Sequence, residues 1–279
     1  MRYPRWSLLL TLPAAGLIGL FMYGLVRLLA GAFWHDGQWD ISLFGEIFAR
    51  PDQLAMLVRT ILIALATTAA CLLIGYPVAY FVARYEGNRN RILLLIIMPW
   101  LVSIVVRTYG WMVILGPKGM INSALQWFGL IETPFPLMYH AGTVVMGLVH
   151  VLCPFMIIAI LSSLLRIDAS LEEASMSLGG PPGVTFRRVL LPLSLPGVLT
   201  GVILVWLMSC GAIVTPLMLG GLRDALIGSE IFQQVMHFFD YRKAATFATL
   251  LMLIAIAGVL PLQWLERRLS RQQLASLAS

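Results

Sequence analysis

The chain has 279 residues, of which 59% are hydrophobic and 11% are charged, and its formal net charge is +6. An average soluble domain is about 25% charged, so this composition excludes an ordinary soluble globular fold. The positive charge does not require a nucleic-acid partner, because arginines that face anionic lipid at the inner membrane surface account for it. We therefore expect a chain that is surrounded mainly by membrane lipid.

Six apolar stretches are each long enough, at about 1.5 Å of rise per residue, to cross about 30 Å of hydrocarbon as α-helices. They predict an all-α, polytopic membrane protein in which residues 1–279 form one transmembrane domain. The first stretch is longer than the apolar core of a signal peptide, about 7–15 residues, so we expect a retained helix instead of a cleaved leader. The predicted spans cover residues 7–30, 57–83, 92–115, 139–165, 196–219 and 244–265.

The orientation of these spans follows from the basic residues near their ends. The side that carries the N-terminus receives Arg2, Arg5, Arg84, Arg187 and Arg188 among others, and the opposite side receives fewer Lys and Arg. Cytoplasmic loops carry the excess of Lys and Arg in membrane proteins. We therefore expect a multi-pass protein of the bacterial inner membrane with both termini in the cytoplasm.

A polar segment, residues 166–195, interrupts the apolar chain between the fourth and fifth predicted spans. Ser170 and Glu173 have the spacing of a capping box, in which each side chain accepts a hydrogen bond from the other residue's backbone N–H. Gly179 suits the left-handed residue that closes a helix. The pattern predicts a short cytoplasmic helix that begins at Ser170 and ends at Gly179.

A second short turn is expected over residues 182–190, because Pro181 and Pro182 prevent the first helix from continuing and Pro192 follows. Phe186 is the one large aromatic residue of this turn. Ordering such a polar segment costs conformational entropy, which binding to another molecule would offset. We therefore expect a partner to dock on it.

Three short motifs follow one another here at fixed offsets: Glu173-Ala174-Ser175, Gly179 and Val189-x-Leu191-Pro192. This spacing resembles the cytoplasmic "EAA…G…I-x-LP" loop of bacterial ABC importer permeases, which usually has Ala at the position of Ser175 and often Ile at that of Val189. The resemblance implies that residues 166–195, which we call the coupling segment, seat in a groove on an ATP-hydrolysing subunit. From the motif together with the predicted cap and the single aromatic residue, the residues that we expect to serve ATPase coupling are Ser170, Glu173, Ala174, Gly179, Phe186, Leu191 and Pro192.

Other stretches resemble the first permease subunit of spermidine/putrescine-type importers, namely residues 106–111, 116–134, 161–168 and 216–234. The resemblance implies the type I ABC importer permease fold, a heterodimer with a second permease, a dimer of ATP-binding subunits and an external solute-binding protein. The phosphate-binding motif G-x-x-x-x-G-K-[ST] does not occur in the sequence. We therefore expect no cofactor in this chain, and ATP and Mg on the partner ATPase.

A membrane-embedded enzyme and a passive channel are the rival interpretations. The four histidines form no H-E-x-x-H motif and no G-x-S-x-G motif occurs, so the sequence predicts neither a catalytic residue nor a metal site. A passive channel would not need the ordered coupling segment. We therefore expect a transport permease that is not itself an enzyme.

The substrate is left open between a polyamine and an amino-acid-like or opine compound. Trp100, Tyr109 and Trp111 offer aromatic faces to a cation, whereas Arg107 could bind a carboxylate. Thr215 is a further candidate for the pathway. No acidic residue is expected at membrane depth, which argues against a polyamine, but the resemblance to spermidine/putrescine permeases favours one.

Overall fold

The computed structural model describes residues 6–35, 37–221 and 224–278, so that Arg2 and Arg5 lie outside the described residues. Within them the chain is almost entirely helical, with one short antiparallel hairpin of β1 (Trp34–His35) and β2 (Gln38–Trp39). The helices are α1 (Trp6–Phe33), α2 (Ser42–Ala49), α3 (Pro51–Arg84), α4 (Arg89–Leu101), α5 (Ile104–Leu115), α6 (Met120–Trp127), α7 (Ala141–Leu164), α8 (Ser170–Ser177), α9 (Pro182–Thr185), α10 (Leu191–Cys210), α11 (Val214–Leu219), α12 (Ile227–Met236) and α13 (Tyr241–Ala278).

Among the described residues, five continuous helices are long and apolar enough to cross a membrane, and α4 with the stretch from α5 to α6 forms a sixth, bent candidate. The first, second, fourth and sixth predicted spans correspond to α1, α3, α7 and α13. The all-α, polytopic fold class is thereby confirmed. The exposed leucine, valine and phenylalanine side chains of these helices suit a hydrocarbon environment.

The prediction of one continuous third span over residues 92–115 is wrong. The chain breaks at Val102 and Ser103, whose backbones are extended, and the helices on either side meet at 87°. Pro99, one turn before the break, lacks the N–H that would continue the ladder of helical hydrogen bonds. Hydropathy predicts the length of such a stretch but carries no information about its direction.

The prediction for the fifth span, residues 196–219, is wrong at both ends. The helix begins earlier, in continuity with the coupling segment, and α10 ends at Cys210. After a break at residues 211–213, α11 forms a separate short helix. Pro216 removes a backbone donor from the first turn of α11, where a helix tolerates its absence.

The centre of the molecule is formed by α3, α7 and α10, of which α7 is the most enclosed. Gly197 and Gly201 lie one turn apart on α10, and a Cβ atom added at Gly201 would lie 2.6 Å from Met156 Sδ on α7. Small residues at this spacing let two membrane helices approach closely. The tight contact between α7 and α10 holds the two ends of the coupling segment together.

Candidate functional site

The coupling segment begins with a different cap from the predicted one. The backbone N–H of Ser170 donates to Asp168 Oδ1 at 2.9 Å, and that of Glu173 donates to the Ala169 carbonyl. The predicted Ser170–Glu173 capping box is therefore wrong, because a carboxylate two residues earlier in the chain accepts the first free donor instead. This hydrogen bond from the Ser170 backbone lowers the pKa of Asp168 below its ordinary value.

The end of α8 has the predicted left-handed glycine. Gly179 has φ +83°, its N–H donates to the Met176 carbonyl at 2.9 Å, and the Gly180 N–H donates to the Ser175 carbonyl at 3.0 Å. This pair of bonds is the Schellman arrangement, which satisfies carbonyls that a helix end leaves free. The expectation that Gly179 ends the helix with positive φ is confirmed.

The outward face of α8 is apolar and unusually exposed. Leu178 is 90% exposed, Leu171 is 46% exposed, and Glu173 and Ala174 are exposed beside them. Contiguous apolar side chains on a protein surface mark sites of interaction. This face has the chemistry of a docking surface for another protein.

The second turn of the coupling segment does not end before Pro192, contrary to the prediction. Helix α9 passes into one π-helical turn, Phe186–Leu190, and then directly into α10. In this wide turn the Leu191 N–H donates to the Phe186 carbonyl, five residues back. The shift of register accommodates the missing N–H of Pro192 within a continuous helix.

Two side-chain contacts hold this second helix in place. Ser175 Oγ on α8 lies 2.9 Å from Thr185 Oγ1 on α9, so the two hydroxyls form a hydrogen bond within the segment. Phe186, 37% exposed, packs the edge of its ring on Tyr76 of α3, with ring centroids 5.4 Å apart. The coupling segment is thus fixed both to itself and to a membrane helix.

Sequence reasoning missed Glu172, the residue that binds α8 to the helical bundle. Its side chain is buried, with Tyr80 Oη donating to Oε2 at 2.9 Å and Arg84 Nε donating to Oε1 at 2.6 Å. Both partners lie near the C-terminal end of α3. The four-residue spacing of Tyr76, Tyr80 and Arg84, which puts them on one helix face, was the signal that could have found the contact.

The aromatic candidates for a substrate pathway are divided between two helices. Trp100 lies in the last turn of α4 and packs edge-on against Phe155, while Trp111 on α5 packs edge-on against His150. Tyr109 is 60% exposed and, two residues from Trp111, points away from it around α5. The structure therefore does not bring the three aromatic rings together.

Arg107 is bonded to the break in the third span. Its Nη2 donates to the Val102 carbonyl at 2.6 Å and to the Trp100 carbonyl at 3.1 Å, which are carbonyls that the end of α4 leaves free. Its Nε and Nη1 are buried and have no partner within the described chain. The side chain holds the bend together and keeps two donors unused.

A cavity of about 250 Å³ lies between the two broken spans. It is bounded by Ile104, just after the first break, and by Gly211, Ala212 and Ile213 of the second. Thr215 also lines it; this residue is 1% exposed, and its Oγ1 has no partner in the part of the chain that is described. Membrane transporters commonly place substrate sites where helices are discontinuous.

Residues 41–272 match the family described as "Binding-protein-dependent transport system inner membrane component". The spermidine/putrescine transport system permease protein PotB of Salmonella typhimurium strain LT2 is 34% identical over 230 residues, or 82% of this chain and 79% of PotB. PotB of Escherichia coli K12 is 35% identical over 221 residues, or 78% of this chain and 80% of PotB.

Solved structures agree in fold. A chain of a bacterial ABC transporter that imports the acidic polysaccharide alginate superposes with a TM-score of 0.73 at 20% identity, covering 94% of this chain and 96% of that one. A chain of the methionine ABC transporter MetNI superposes with a TM-score of 0.54 at 19% identity, covering 78% of this chain and 94% of the MetNI chain. At this identity the likeness shows the fold alone, and it confirms the predicted type I ABC importer permease fold.

Proposed function

The chain belongs to the binding-protein-dependent transport system inner membrane components, and from this membership we propose that it is a permease subunit of an ATP-driven polyamine importer. It is a multi-pass inner-membrane permease and not itself an enzyme. The observation that carries the proposed substrate is the 35% identity to the spermidine/putrescine permease of Escherichia coli, over 78% of this chain and 80% of the relative.

The remaining subunits of the importer are proposed from the resemblance and from the exposed face of α8. ATP and Mg bind to a dimer of separate ATPase subunits, a second permease completes the pathway, and a solute-binding protein delivers the substrate from outside. The exposed Leu171 and Leu178 support docking of the ATPase. In the coupling segment, Glu173 and Ala174 contact the ATPase, Gly179 shapes the turn, and the stretch from Phe186 to Pro192 leads into α10.

Arg107 supports a polyamine over an amino-acid-like or opine substrate. A guanidinium that is free in the pathway would repel a polyamine and attract a carboxylate. Because Arg107 already donates to the carbonyls of Trp100 and Val102, it has a structural use that does not involve substrate. Exposed aromatic faces at Trp100 and Tyr109 remain for cation–π contacts of about 0.5–2 kcal/mol each, weak enough for a cation to move on.

Uptake by the complete complex tests this function. The chain, its second permease, the ATPase and the solute-binding protein encoded with them are reconstituted in vesicles. We expect ATP-dependent accumulation of radiolabelled putrescine or spermidine, and none with a non-hydrolysable ATP analogue. Accumulation of an amino acid or an opine in place of both polyamines would refute the proposed substrate and favour the alternative.

Labelling by an impermeant maleimide tests the proposed orientation. In intact cells that carry a cysteine-free variant, a cysteine that replaces Gly37 or Asp224 is expected to react, because both positions are assigned to the outer side. A cysteine that replaces Asn88 or Ser177 is expected to remain unlabelled. External labelling at either of the last two positions would invert the topology and remove the ATPase-coupling role with it.

A further inference from the structure

One face of α3 contacts the coupling segment at three successive turns. Tyr76 Oη lies 2.8 Å from Ser194 Oγ, at the start of α10, and Tyr80 and Arg84 both donate to Glu172. Residues four apart lie one above another on a helix. The cytoplasmic end of α3 is therefore bonded along about 12 Å of its length, taking about 1.5 Å of rise per residue.

The contact with Glu172 restricts the movement of α8 relative to α3. The two carboxylate oxygens have different partners, Oε1 the Arg84 guanidinium and Oε2 the Tyr80 hydroxyl, and the side chain is only 10% exposed. Charge-assisted bonds to two fixed donors set an orientation as well as a distance. Breaking such a pair in a buried site leaves a charge without compensation, so the pair resists separation.

Glu172 and Glu173 divide the two faces of α8. Adjacent residues are separated by about 100° around a helix, so one carboxylate points toward α3 while the other is exposed. The exposed face carries Leu171 and Leu178, which suit a protein partner. The inward face carries the one carboxylate that α3 binds.

The opposite end of α3 is bonded to the outer loop beside the second broken span. Thr60 Oγ1 accepts a hydrogen bond from the Ile227 N–H at 3.1 Å, and Arg59 donates to the Ala225 carbonyl at 3.4 Å. Because both sets of contacts lie on one continuous helix, α3 connects Thr60 to Arg84, and through it to Glu172, across about 36 Å. One continuous helix, with Pro77 within it, thus joins the coupling segment to the loop that follows α11.

We propose that Glu172, Arg84 and Tyr80 form a latch that makes α8 and α3 move as one body, so that displacement of α8 by an ATPase moves the outer end of α3. The proposal rests on the proposed function in assuming an ATPase on α8. In it Glu172 is a positioning residue: it touches neither ATP nor substrate, and it determines how much of the ATPase movement reaches the membrane helices.

The test measures substrate transported per ATP hydrolysed by the complete complex in vesicles. Glu172→Gln keeps the side-chain volume but removes the charge that Arg84 binds. We expect ATP hydrolysis to continue while transport per ATP falls about tenfold, within the usual range of coupling between sites. Tyr80→Phe removes only one hydrogen bond and is expected to lower the ratio about threefold.

Two further variants separate the latch from a general effect of mutation. Glu86→Gln makes the same chemical change at an exposed carboxylate in the adjoining cytoplasmic loop and is expected to leave the ratio unchanged. The double variant Glu172→Arg, Arg84→Glu exchanges the two charges and so keeps an opposite-charge pair. We expect it to recover part of the transport per ATP that Glu172→Gln loses. Wild-type ratios in both Glu172→Gln and Tyr80→Phe, or a charge exchange that recovers nothing, would overturn the latch.

A readout that needs no substrate distinguishes failure of the latch from failure of the proposed function. Leu54, near the outer end of α3 and 43% exposed, is replaced by cysteine in a variant without the three native cysteines. We expect the rate at which maleimide labels this cysteine to change when ATP and vanadate trap the ATPase. In Glu172→Gln we expect the rate to be the same with and without ATP and vanadate. If polyamine uptake fails but this dependence remains, the substrate is wrong and the latch stands; labelling that responds equally in Glu172→Gln contradicts the latch alone.

Discussion

The coupling segment and the region of the two broken spans differ in how their buried polar groups are satisfied. In the coupling segment Glu172, Thr185 and Ser194 are all buried and all hydrogen-bonded. At the breaks, Arg107 keeps two buried donors and Thr215 a buried hydroxyl for which residues 6–35, 37–221 and 224–278 supply no partner. A fully paired network is stiff and specifies one geometry, whereas an unpaired group retains its capacity to bind something else.

This difference matches the two tasks of a transport permease. A segment that receives movement from another subunit transmits it only if it does not deform, and the buried Glu172, Thr185 and Ser194 are accordingly paired within the chain. A region that lets a cationic solute pass has to offer it hydrogen-bond acceptors, and the unpaired Thr215 hydroxyl is one, whereas Arg107 holds the bend. Each of the following predictions alters one side of this comparison.

The largest effect is expected from Gly179→Val in the coupling segment. Valine is strained at φ +83° by about 1–3 kcal/mol, so the Schellman turn no longer positions α9 against α8. We expect uptake to fall at least about tenfold while the amount of chain in the membrane stays near normal. Gly183→Val is the control, since Gly183 has open space around its Cβ position and no positive φ. Near-normal uptake with Gly179→Val would show that the shape of this turn is not needed.

Arg107→Gln is expected to act through the bend in the third span. Glutamine cannot reach both carbonyls, and each bond lost from a charged donor costs about 1.5–3 kcal/mol. We expect a lower melting temperature of the purified complex and a severalfold lower uptake rate, with the KM for putrescine unchanged. Abolished uptake in a complex that melts normally and still hydrolyses ATP would instead indicate a substrate carboxylate at Arg107.

Thr215→Val removes the unpaired hydroxyl from the cavity between the breaks at nearly constant volume. Because a buried hydroxyl without a partner is destabilising by about 1–3 kcal/mol, we expect the melting temperature to stay the same or rise. The KM for the substrate is expected to increase severalfold, since the hydroxyl is then lost to it. In the control Thr249→Val, the hydroxyl that is removed bonds the Ala245 carbonyl, so stability is expected to fall at constant KM. Equal behaviour of the two variants would remove Thr215 from the pathway.

The smallest effect is expected at the start of α8, where Asp168 and Ser170 compete as caps. Asp168→Asn is expected to raise hydrogen exchange of the Ser170 amide a few-fold at neutral pH, while Ser170→Ala is expected to leave it unchanged. The folded-state pKa of Asp168 is lowered, so its contribution is present above its ordinary value of 3.8 and is lost as the pH falls through the lower folded value. If Ser170→Ala raised hydrogen exchange at the start of α8 more than Asp168→Asn does, the Ser170 side chain would be the cap and the capping box would be right after all.

Much of the coupling segment was predictable because its signals are local. The left-handed conformation of Gly179 depends on a helix end and on the absence of a Cβ atom, both of which are visible in neighbouring residues. The choice between Asp168 and Ser170 as the cap was not predictable, because both side chains can accept a hydrogen bond from a backbone N–H at the start of α8. The backbone conformation decided it, since it places Asp168 Oδ1 within 2.9 Å of the Ser170 N–H. The roles of Glu173, Ala174 and the other coupling residues toward an ATPase remain predictions.

The sequence by itself determined which stretches are apolar enough to cross a membrane, where the coupling segment lies, and where its helix ends, because each of these properties depends on consecutive residues. Only the tertiary structure decided that Glu172 and not Glu173 is the buried carboxylate, since the face that α8 turns inward depends on how it packs against α3. Only the tertiary structure likewise decided where the third and fifth spans break and that Arg107 bonds the backbone at the first break. At the first break Pro99 interrupts the helical hydrogen bonds, but the carbonyl freed at Val102 is satisfied by Arg107, which lies on the far side of the bend.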